Sequence, residues 1–187
     1  GLRLSDLGFV FVTHEHIDHI RALPALRRSG VPVVTSAGTA QAMGLSGGEW
    51  IRVKHGARFE CGGIEVSAER TSHDAAESLG AVVQLGDQTI AVFTDMGEWH
   101  AGIVDAMSRA DVVVVEANHN IEMLKRGPYP AHLKRRVLSA TGHLSNEDCG
   151  RLTETVRERS GKDPRIFLAH LSETNNTPNQ AVTDVAA

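Results

Sequence analysis

Cysteine is scarce in this chain, which has only Cys61 and Cys149 and no C-x-x-C pair. Such separated thiols argue against a disulfide framework or a thiolate zinc site, and we expect both side chains to be buried and reduced. The longest aliphatic run, Val112 to Val115, is far too short to span a bilayer, and no charged-then-apolar leader precedes the first predicted strand. We therefore expect a cytoplasmic protein without a membrane segment.

An excess of positive charge is also lacking. The formal net charge is -4 and the pI is about 6.2, which argues against a protein that coats nucleic acid by bulk electrostatics. Any contact with nucleic acid must therefore be local. Internal repeats and low-complexity linkers are lacking too, and 187 residues with 41% hydrophobic content predict one well-buried domain, 1–187.

Apolar runs predict strands that alternate with helices around a β-rich centre. Predicted strands cover 8–14, 31–36, 50–55, 57–71, 80–95, 111–118 and 165–171. Predicted helices cover about 19–29, 36–43, 98–109, 120–139 and 145–160, and no structure is assigned after Asn175. The segments from Trp50 to Thr94 are expected to form consecutive antiparallel strands. Helices on both sides of face-to-face sheets would give an α/β fold of four layers, αββα.

Histidine is plentiful, with ten residues, and four metal-ligand side chains fall within the segment THEHIDHI. Alternate residues at the end of a strand point the same way, so His14 and His16 can converge on one metal. Asp18 and His19 follow as the chain turns into a helix and can serve a second metal. The alternative is a polar surface loop, which we weigh lower because all four residues adjoin a strand end.

Further ligand candidates end later predicted strands. They are His73, Asp95 and His170. Taken alone, each is more often a structural residue or a turn residue. Together they complete two sets, in which the first metal has His14, His16 and His73, the second has Asp18, His19 and His170, and Asp95 bridges the two. One position is left for a bridging water, which indicates catalysis rather than structural support.

The same motifs resemble a known family. HEHIDH followed by SHD, TD and a late AH is similar to the metallo-β-lactamase superfamily, and SHDAAESLG, EANHNIEML, LKRRVLSATGHLSNED and LAHLSETNNTP resemble its WalJ/YycJ-like branch. The resemblance implies metal-dependent phosphodiesterases or nucleases, in particular a double-stranded DNA exonuclease that works from the 5′ end. Only thirteen residues precede His14, whereas the family fold begins with additional strands, so we expect the N-terminal strands to be missing from this chain.

His143 lies in GHLSNED, just before a predicted helix whose first amides and Ser145 cap can receive a phosphate. Resemblance to nucleases with a similar G-H-x-S segment implies that His143 contacts the scissile phosphate or protonates the leaving oxygen. The alternative is a helix-capping loop with an incidental histidine. The basic stretch from Lys125 to Arg136 either follows a nucleic-acid backbone or forms a solvated helix face. Candidate substrate contacts are Ser145, Lys134, Arg135 and Asn118.

These residues predict hydrolysis at two divalent ions, Zn²⁺ or Mn²⁺, in which a bridging hydroxide attacks phosphorus. The predicted catalytic residues are Asp95, His143 and Asp18. The expected partner is nucleic acid, DNA rather than RNA, and a homo-oligomer is left open. Two alternatives remain: a hydrolase of a small cyclic phosphodiester, thioester or lactone on the same metals, and a non-catalytic, metal-stabilised DNA-binding module.

Overall fold

Two β-sheets face each other in the computed structural model, which describes residue 1 and residues 3–48 and 50–187. The first sheet has the order β1-β2-β3, with β1 (Val10–Phe11), β2 (Val33–Thr35) and β3 (Trp50–Arg52). The second has the order β4-β5-β6-β7-β8-β9, with β4 (Arg58–Cys61), β5 (Ile64–Arg70), β6 (Leu79–Leu85), β7 (Gln88–Phe93), β8 (Val112–Glu116) and β9 (Arg165–Ala169).

Strand direction differs between the two halves of the second sheet. The strands β4 to β7 are antiparallel neighbours, as expected, and β7, β8 and β9 are parallel. The predicted antiparallel pairing of the segment at Trp50 is wrong, because β3 pairs in parallel with β2 in the first sheet. A helical crossover separates β2 from β3, and such a connection brings the chain back in the same direction.

Helices lie along the chain as α1 (Ile17–Ile20), α2 (Leu23–Arg28), α3 (Ala37–Ala42), α4 (Ala101–Ser108), α5 (Ile121–Arg126), α6 (Ala131–Val137), α7 (Asn146–Arg159) and α8 (Pro178–Val185). A 3-10 turn precedes them at Leu4–Asp6. Among the described residues, none of these helices combines the length and apolar character needed to cross a bilayer.

The buried clusters show how the layers pack. Successive side chains of a strand point to opposite faces, and in β2 Val33 packs with Leu23 of α2, whereas Val34 packs with Leu79 of the second sheet. On the other side of the second sheet, a larger cluster joins β7 and β8 to α4, α7 and α8, with Phe93 fully buried in it. The order is therefore helix, sheet, sheet, helix, which confirms the predicted αββα fold.

Two predicted helical regions differ from the structure. The region 120–139 is divided into α5 and α6 around Gly127 and Pro128, because proline cannot continue the hydrogen bonding of a helix. The tail, left without structure in the prediction, forms α8. Thr177 caps that helix by accepting a hydrogen bond from the backbone of Gln180, and Ala181 is buried in the main core.

The two cysteines are free, as expected, but only Cys149 is fully buried. Burial raises the pKa of the Cys149 thiol to about 12. Cys61 is half-buried, so the prediction that both thiols are buried is wrong for that residue. It lies at the end of the edge strand β4, which has a neighbour on one side only.

Candidate metal centre

The ends of several strands place polar side chains at one edge of the two sheets. Because β7, β8 and β9 are parallel neighbours, their carboxyl ends meet, and Asp95, Glu116 and His170 stand there side by side. His73 follows β5 and reaches the same edge from the antiparallel part of the sheet. The His14 segment follows β1 of the first sheet. The site is thus assembled from both sheets.

A first group consists of His14, His16 and His73, whose facing nitrogens all lie within 4.8 Å of one another. His73 Nδ1 lies 3.0 Å from the carbonyl oxygen of Gly142, so Nδ1 carries the donated proton and Nε2 faces the group. This approach requires glycine at 142, since a Cβ there would lie 2.2 Å from the carbonyl oxygen of Arg136. His73 Nε2 is 3.1 Å from His16 Nδ1.

A second group consists of Asp18, His19 and His170, again with ligand atoms within 4.8 Å of one another. One oxygen of Asp18, Oδ2, lies 3.5 Å from Nε2 of both His19 and His170. The Asp18 side chain is 54% exposed, in contrast to His14 and His73 of the first group, whose side chains have no exposure. The second group therefore reaches solvent mainly through Asp18.

Asp95 lies between the two groups. Its Oδ1 is 3.7 Å from Nε2 of His73 and 3.5 Å from Nε2 of His170, and its Oδ2 is 3.2 Å from Nε2 of His19. Asp95 and His170 are the non-glycine residues with positive φ in the described chain, at 59° and 53°. Such backbone angles are uncommon for residues with a side chain and concentrate at functional sites.

Several buried polar atoms of this cluster have no hydrogen-bond partner among the described residues. They include Nε2 of His14, Nε2 of His19 and Oδ2 of Asp95. The latter two atoms are 3.2 Å apart, so both face the same space between the two groups. Buried polar atoms are seldom left unpaired. Imidazole nitrogens and a carboxylate arranged in this way fit divalent metal ions.

The pKa values separate the histidines into two kinds. Burial lowers the pKa of His14 to about 3 and also lowers the pKa of His73. Burial acts in the same direction on His170, but Glu116 and Asp95 outweigh it and raise the pKa of His170 to about 9. Burial would raise the pKa of Asp95, but the nearby imidazoles of His19 and His170 hold it well below its ordinary value. The lowered pKa values favour the neutral, metal-binding form of His14 and His73, whereas the raised pKa of His170 favours a proton that a metal would have to displace.

Glu116 is the main site residue that the sequence reasoning missed. It is fully buried at the end of β8, where Oε1 accepts hydrogen bonds from Nδ1 of His143 at 2.8 Å and Nδ1 of His170 at 2.7 Å. Its Oε2 accepts from the backbone N–H groups of Met96 and Leu144. The sequence signal for it is the acidic residue that ends the aliphatic run DVVVVE. A carboxylate in such a run is expected to be buried, and buried carboxylates are rare without partners.

A further set of ligand atoms, from Asp95, Glu116, His143 and His170, also lies within 4.8 Å. Here the imidazole nitrogens are 2.7 and 2.8 Å from Glu116, the range of direct hydrogen bonds. We therefore interpret Glu116 as a residue that orients the two histidines and not as a metal ligand. His143 itself is only partly buried, with 13% of its side chain exposed, and stands 3.9 Å from Asp95 Oδ1.

The predicted substrate contacts lie in different surroundings. Asn118 lines a cavity of about 350 Å³ beside His143 and His170. Lys134 donates to the carbonyl oxygen of Lys125, and Arg135 is exposed on α6. Ser145 is buried and its hydroxyl is used in the cap of α7, which argues against the predicted contact between this hydroxyl and a substrate.

A larger groove of about 910 Å³ between α2 and the first sheet contains none of the metal-centre residues.

The fold has four layers in the order αββα, and a cluster of histidine and aspartate side chains lies at the edge between its two sheets. These features define a metal-dependent hydrolase of the metallo-β-lactamase fold. A family model described as "Beta-lactamase superfamily domain" matches residues 2–170. The crystal structure of the metallo-β-lactamase fold protein YhfI from Bacillus subtilis superposes with a TM-score of 0.73 at 18% identity, over 97% of this chain and 71% of that chain. At this identity the likeness supports the fold alone.

The chain belongs to the metallo-β-lactamase superfamily, in its WalJ/YycJ-like branch. It is 35% identical to exodeoxyribonuclease YycJ of Bacillus anthracis, over 99% of this chain and 72% of that protein. It is 34% identical to exodeoxyribonuclease WalJ of Streptococcus pneumoniae serotype 2, over 92% of this chain and 66% of that protein. The chain thus spans about two thirds to three quarters of the length of these relatives.

Proposed function

We propose that this protein is an exodeoxyribonuclease that removes nucleotides from the 5′ end of DNA, with residues 1–187 acting as a single hydrolase domain. The observation that carries the proposal is the position of Asp95, whose carboxylate lies within 4 Å of imidazoles from both ligand groups. The exodeoxyribonuclease names of the two relatives support DNA as the substrate. A DNA substrate also favours a location in the cytoplasm.

Two divalent ions, Zn²⁺ or Mn²⁺, would be held by the first and second groups with Asp95 shared between them. When bound, such ions supply a nucleophile at neutral pH and neutralise the charge on the phosphate. Zinc suits the three imidazoles of the first group, whereas the carboxylates around the second group also suit Mn²⁺. The shared carboxylate fixes the separation of the two groups, so a loss of Asp95 affects both.

We assign to His143 the protonation of the leaving oxygen. Its Nδ1 is held by Glu116, so the proton to be donated is on Nε2, and the ring lines the cavity beside the metal centre. In the proposed reaction the oxygen of a hydroxide ion bonds to phosphorus, the P–O3′ bond breaks, O3′ takes the proton from His143, and His143 regains a proton from solvent. The shortened strand keeps a 5′-phosphate. The departing nucleotide has a 3′-hydroxyl.

The basic residues of α5 and α6 are proposed to follow the DNA backbone near this cavity. Most of them already have partners: Lys125 and Arg126 pair with Glu122, and Arg136 pairs with Asp74. The two exposed pairs with Glu122 are weak and can exchange for phosphate, whereas Arg136 is held by both oxygens of Asp74 and is not a proposed phosphate contact. Arg135 and Lys134 on α6 are the proposed phosphate contacts, because each presents a cation on the helix that borders the cavity.

The test is incubation of the metal-reconstituted protein with 5′-labelled and 3′-labelled DNA, single-stranded and double-stranded, alongside RNA. We expect release of labelled mononucleotide from 5′-labelled DNA at the earliest times, and no such release by the Asp95→Asn variant. Internal fragments, hydrolysis of cyclic dinucleotides or lactones in place of DNA, or DNA binding without products under Zn²⁺ and Mn²⁺ would each overturn the proposal.

A further inference from the structure

The cavity of about 350 Å³ beside the metal centre has walls of a distinctive composition. One wall comes from Tyr129 and the α6 residues Leu133 and Val137, and the opposite wall from the loop after β9, at 171–174. His143 and His170 form the side that adjoins the metal centre. The volume lies in the range of small-molecule sites, about 300–1,000 Å³. The cavity can therefore hold a group the size of a nucleoside, in contact with the proton donor.

Tyr129 lines the cavity from a restricted loop. It is the single tyrosine of the chain and stands between Pro128 and Pro130, which restrict the backbone on both sides of it. At the start of this loop, a Cβ on Gly127 would lie 2.6 Å from Oδ1 of Asn175, so the loop packs closely on the segment that follows the opposite wall. An aromatic ring that lines an open space is the arrangement on which nucleic-acid bases stack.

The charges around the cavity do not favour a second phosphate. The guanidinium of Arg136 is held by both oxygens of Asp74, at 2.5 Å from Nε and 2.9 Å from Nη2. Glu173 lies on the opposite wall and adds a negative charge. Phosphate sites usually present unpaired cations or several free amides. The aromatic and aliphatic walls with a neutralised arginine suit the uncharged part of a nucleotide, its base and sugar.

Polar groups that line the cavity can distinguish a nucleoside from a hydrocarbon. Asn118 donates through Nδ2 to the carbonyl oxygen of His170, at 2.8 Å, so its amide oxygen is on the side left for a ligand. Ser172 and Thr174, which carry hydroxyl groups, also line the cavity. A few placed polar groups in a mainly apolar pocket are the usual means of orienting a small ligand.

We propose that this cavity receives the 5′-terminal nucleoside of the DNA strand, with its base stacked on Tyr129 and its O3′ next to His143. The inference rests on the proposed function and deepens it, because the nucleoside in the cavity carries the leaving oxygen of the hydrolysis. The volume of about 350 Å³ suits one nucleoside. Seating a terminal nucleoside there directs the reaction to strand ends, and because Arg136 is paired with Asp74 a 5′-phosphate is not required.

The first experiment measures binding and does not depend on catalysis. Deoxyadenosine, deoxyribose and deoxyribose 5-phosphate are titrated into the metal-loaded protein by calorimetry. We expect deoxyadenosine to bind and deoxyribose not to bind, and Tyr129→Ala to weaken binding of the nucleoside about tenfold or more while Tyr129→Phe retains it. Phe167→Ala is the matched control, because Phe167 is an exposed aromatic residue of β9 outside the cavity. Equal binding of deoxyadenosine by wild type and Tyr129→Ala would overturn the proposal.

The second experiment separates this inference from the proposed function. With DNA as the substrate, Tyr129→Ala should raise KM about tenfold with a smaller effect on kcat, and substrates with a 5′-hydroxyl or a 5′-phosphate should be hydrolysed at similar rates. If DNA is hydrolysed but Tyr129→Ala changes neither KM nor nucleoside binding, the inference fails and the function stands. If DNA is not hydrolysed but the nucleoside binds through Tyr129, the function fails and the cavity assignment stands.

Discussion

Nδ1 of His143 lies 2.8 Å from Oε1 of Glu116, whose carboxylate has no exposure to solvent. The same oxygen holds His170, a member of the second ligand group. One buried side chain therefore orients both the proposed proton donor and a proposed metal ligand. Burial alone would raise the pKa of Glu116, but the hydrogen bonds from His143 and His170 outweigh it and lower the pKa. Glu116 thus stays ionised and accepts from all of its partners.

Replacing Glu116 by glutamine should impair both metal binding and hydrolysis. Each oxygen of Glu116 accepts from two donors, so the amide nitrogen of glutamine would face donors in either orientation. We expect metal affinity to fall about 10–100-fold, as for other residues that orient metal ligands, measured by competition with a chromophoric chelator. Glu158→Gln, at the exposed end of α7, is the control and should bind metal normally. Unchanged affinity in the Glu116 variant would contradict the role.

Replacing His143 by alanine should affect substrates according to their leaving group. With DNA, whose departing alkoxide needs a proton, we expect kcat to fall by about 10²–10⁴-fold. With a p-nitrophenyl ester of thymidine phosphate, whose leaving group departs without a proton, the loss should be within a few-fold. Metal content, measured by mass spectrometry, should stay at the wild-type level because His143 is in neither proposed ligand group. An equal loss on both substrates would show that His143 does not act on the leaving oxygen.

Removal of the metal ions should destabilise the fold. The buried Nε2 atoms of His14 and His19 and the Oδ2 atom of Asp95 have no other partner among the described residues. Metal at about 1,000 times its Kd stabilises a protein by about 4 kcal/mol, which corresponds to a Tm change on the order of 10 °C for a chain of this size. Calorimetry with and without a chelator measures the change. In Asp95→Ala the chelator should have little effect, and a wild-type Tm insensitive to chelator would contradict the metal centre.

His119 should make the protein less stable in acid. It is buried, neither ring nitrogen has a hydrogen-bond partner among the described residues, and burial lowers its pKa to about 4. As the pH falls below about 6.5, the unfolded chain takes up this proton before the folded one, so stability is lost toward pH 4. Relative to wild type, His119→Leu should gain about 2 kcal/mol in the free energy of unfolding between pH 7.5 and pH 5. Urea unfolding measures it.

The control for this pH effect is His132→Leu, which changes a histidine on the exposed surface of α6. Its stability relative to wild type should not depend on pH over the same range. If His119→Leu shows the same difference from wild type at pH 7.5 and pH 5, the loss of stability in acid does not come from His119. Because both variants are compared with wild type at each pH, the contributions of the other histidines cancel.

Local sequence was enough to predict most of the metal centre. His14, His16, Asp18 and His19 lie within six residues, so their proximity is set by the short chain between them. His73, Asp95 and His170 were identified because each lies at the end of a predicted strand, and residues at functional sites are often found there. The structure does bring these seven side chains together. Their roles as metal ligands are predictions that the metal-removal experiment tests.

Interactions between distant segments could not be predicted in the same way. Glu116 and His143 are 27 residues apart, and Asp74 and Arg136 are 62 residues apart. Nothing in the chain near Glu116 indicates which donors it accepts from, because the partners arrive from the loop before α7 and from the end of β9. The parallel pairing of β3 and the helix α8 were missed for a similar reason, since both depend on packing against residues far away in sequence.

The sequence by itself determined the αββα layers and the identity of the ligand-type residues, because periodicity and short spacing are properties of contiguous chain. Only the tertiary structure decided that Asp95 lies between the two ligand groups, that Glu116 orients His143, and that Tyr129 faces the same cavity. Those relations depend on which strands are neighbours and on which loops close over them. They are consequences of packing among segments that the chain separates widely.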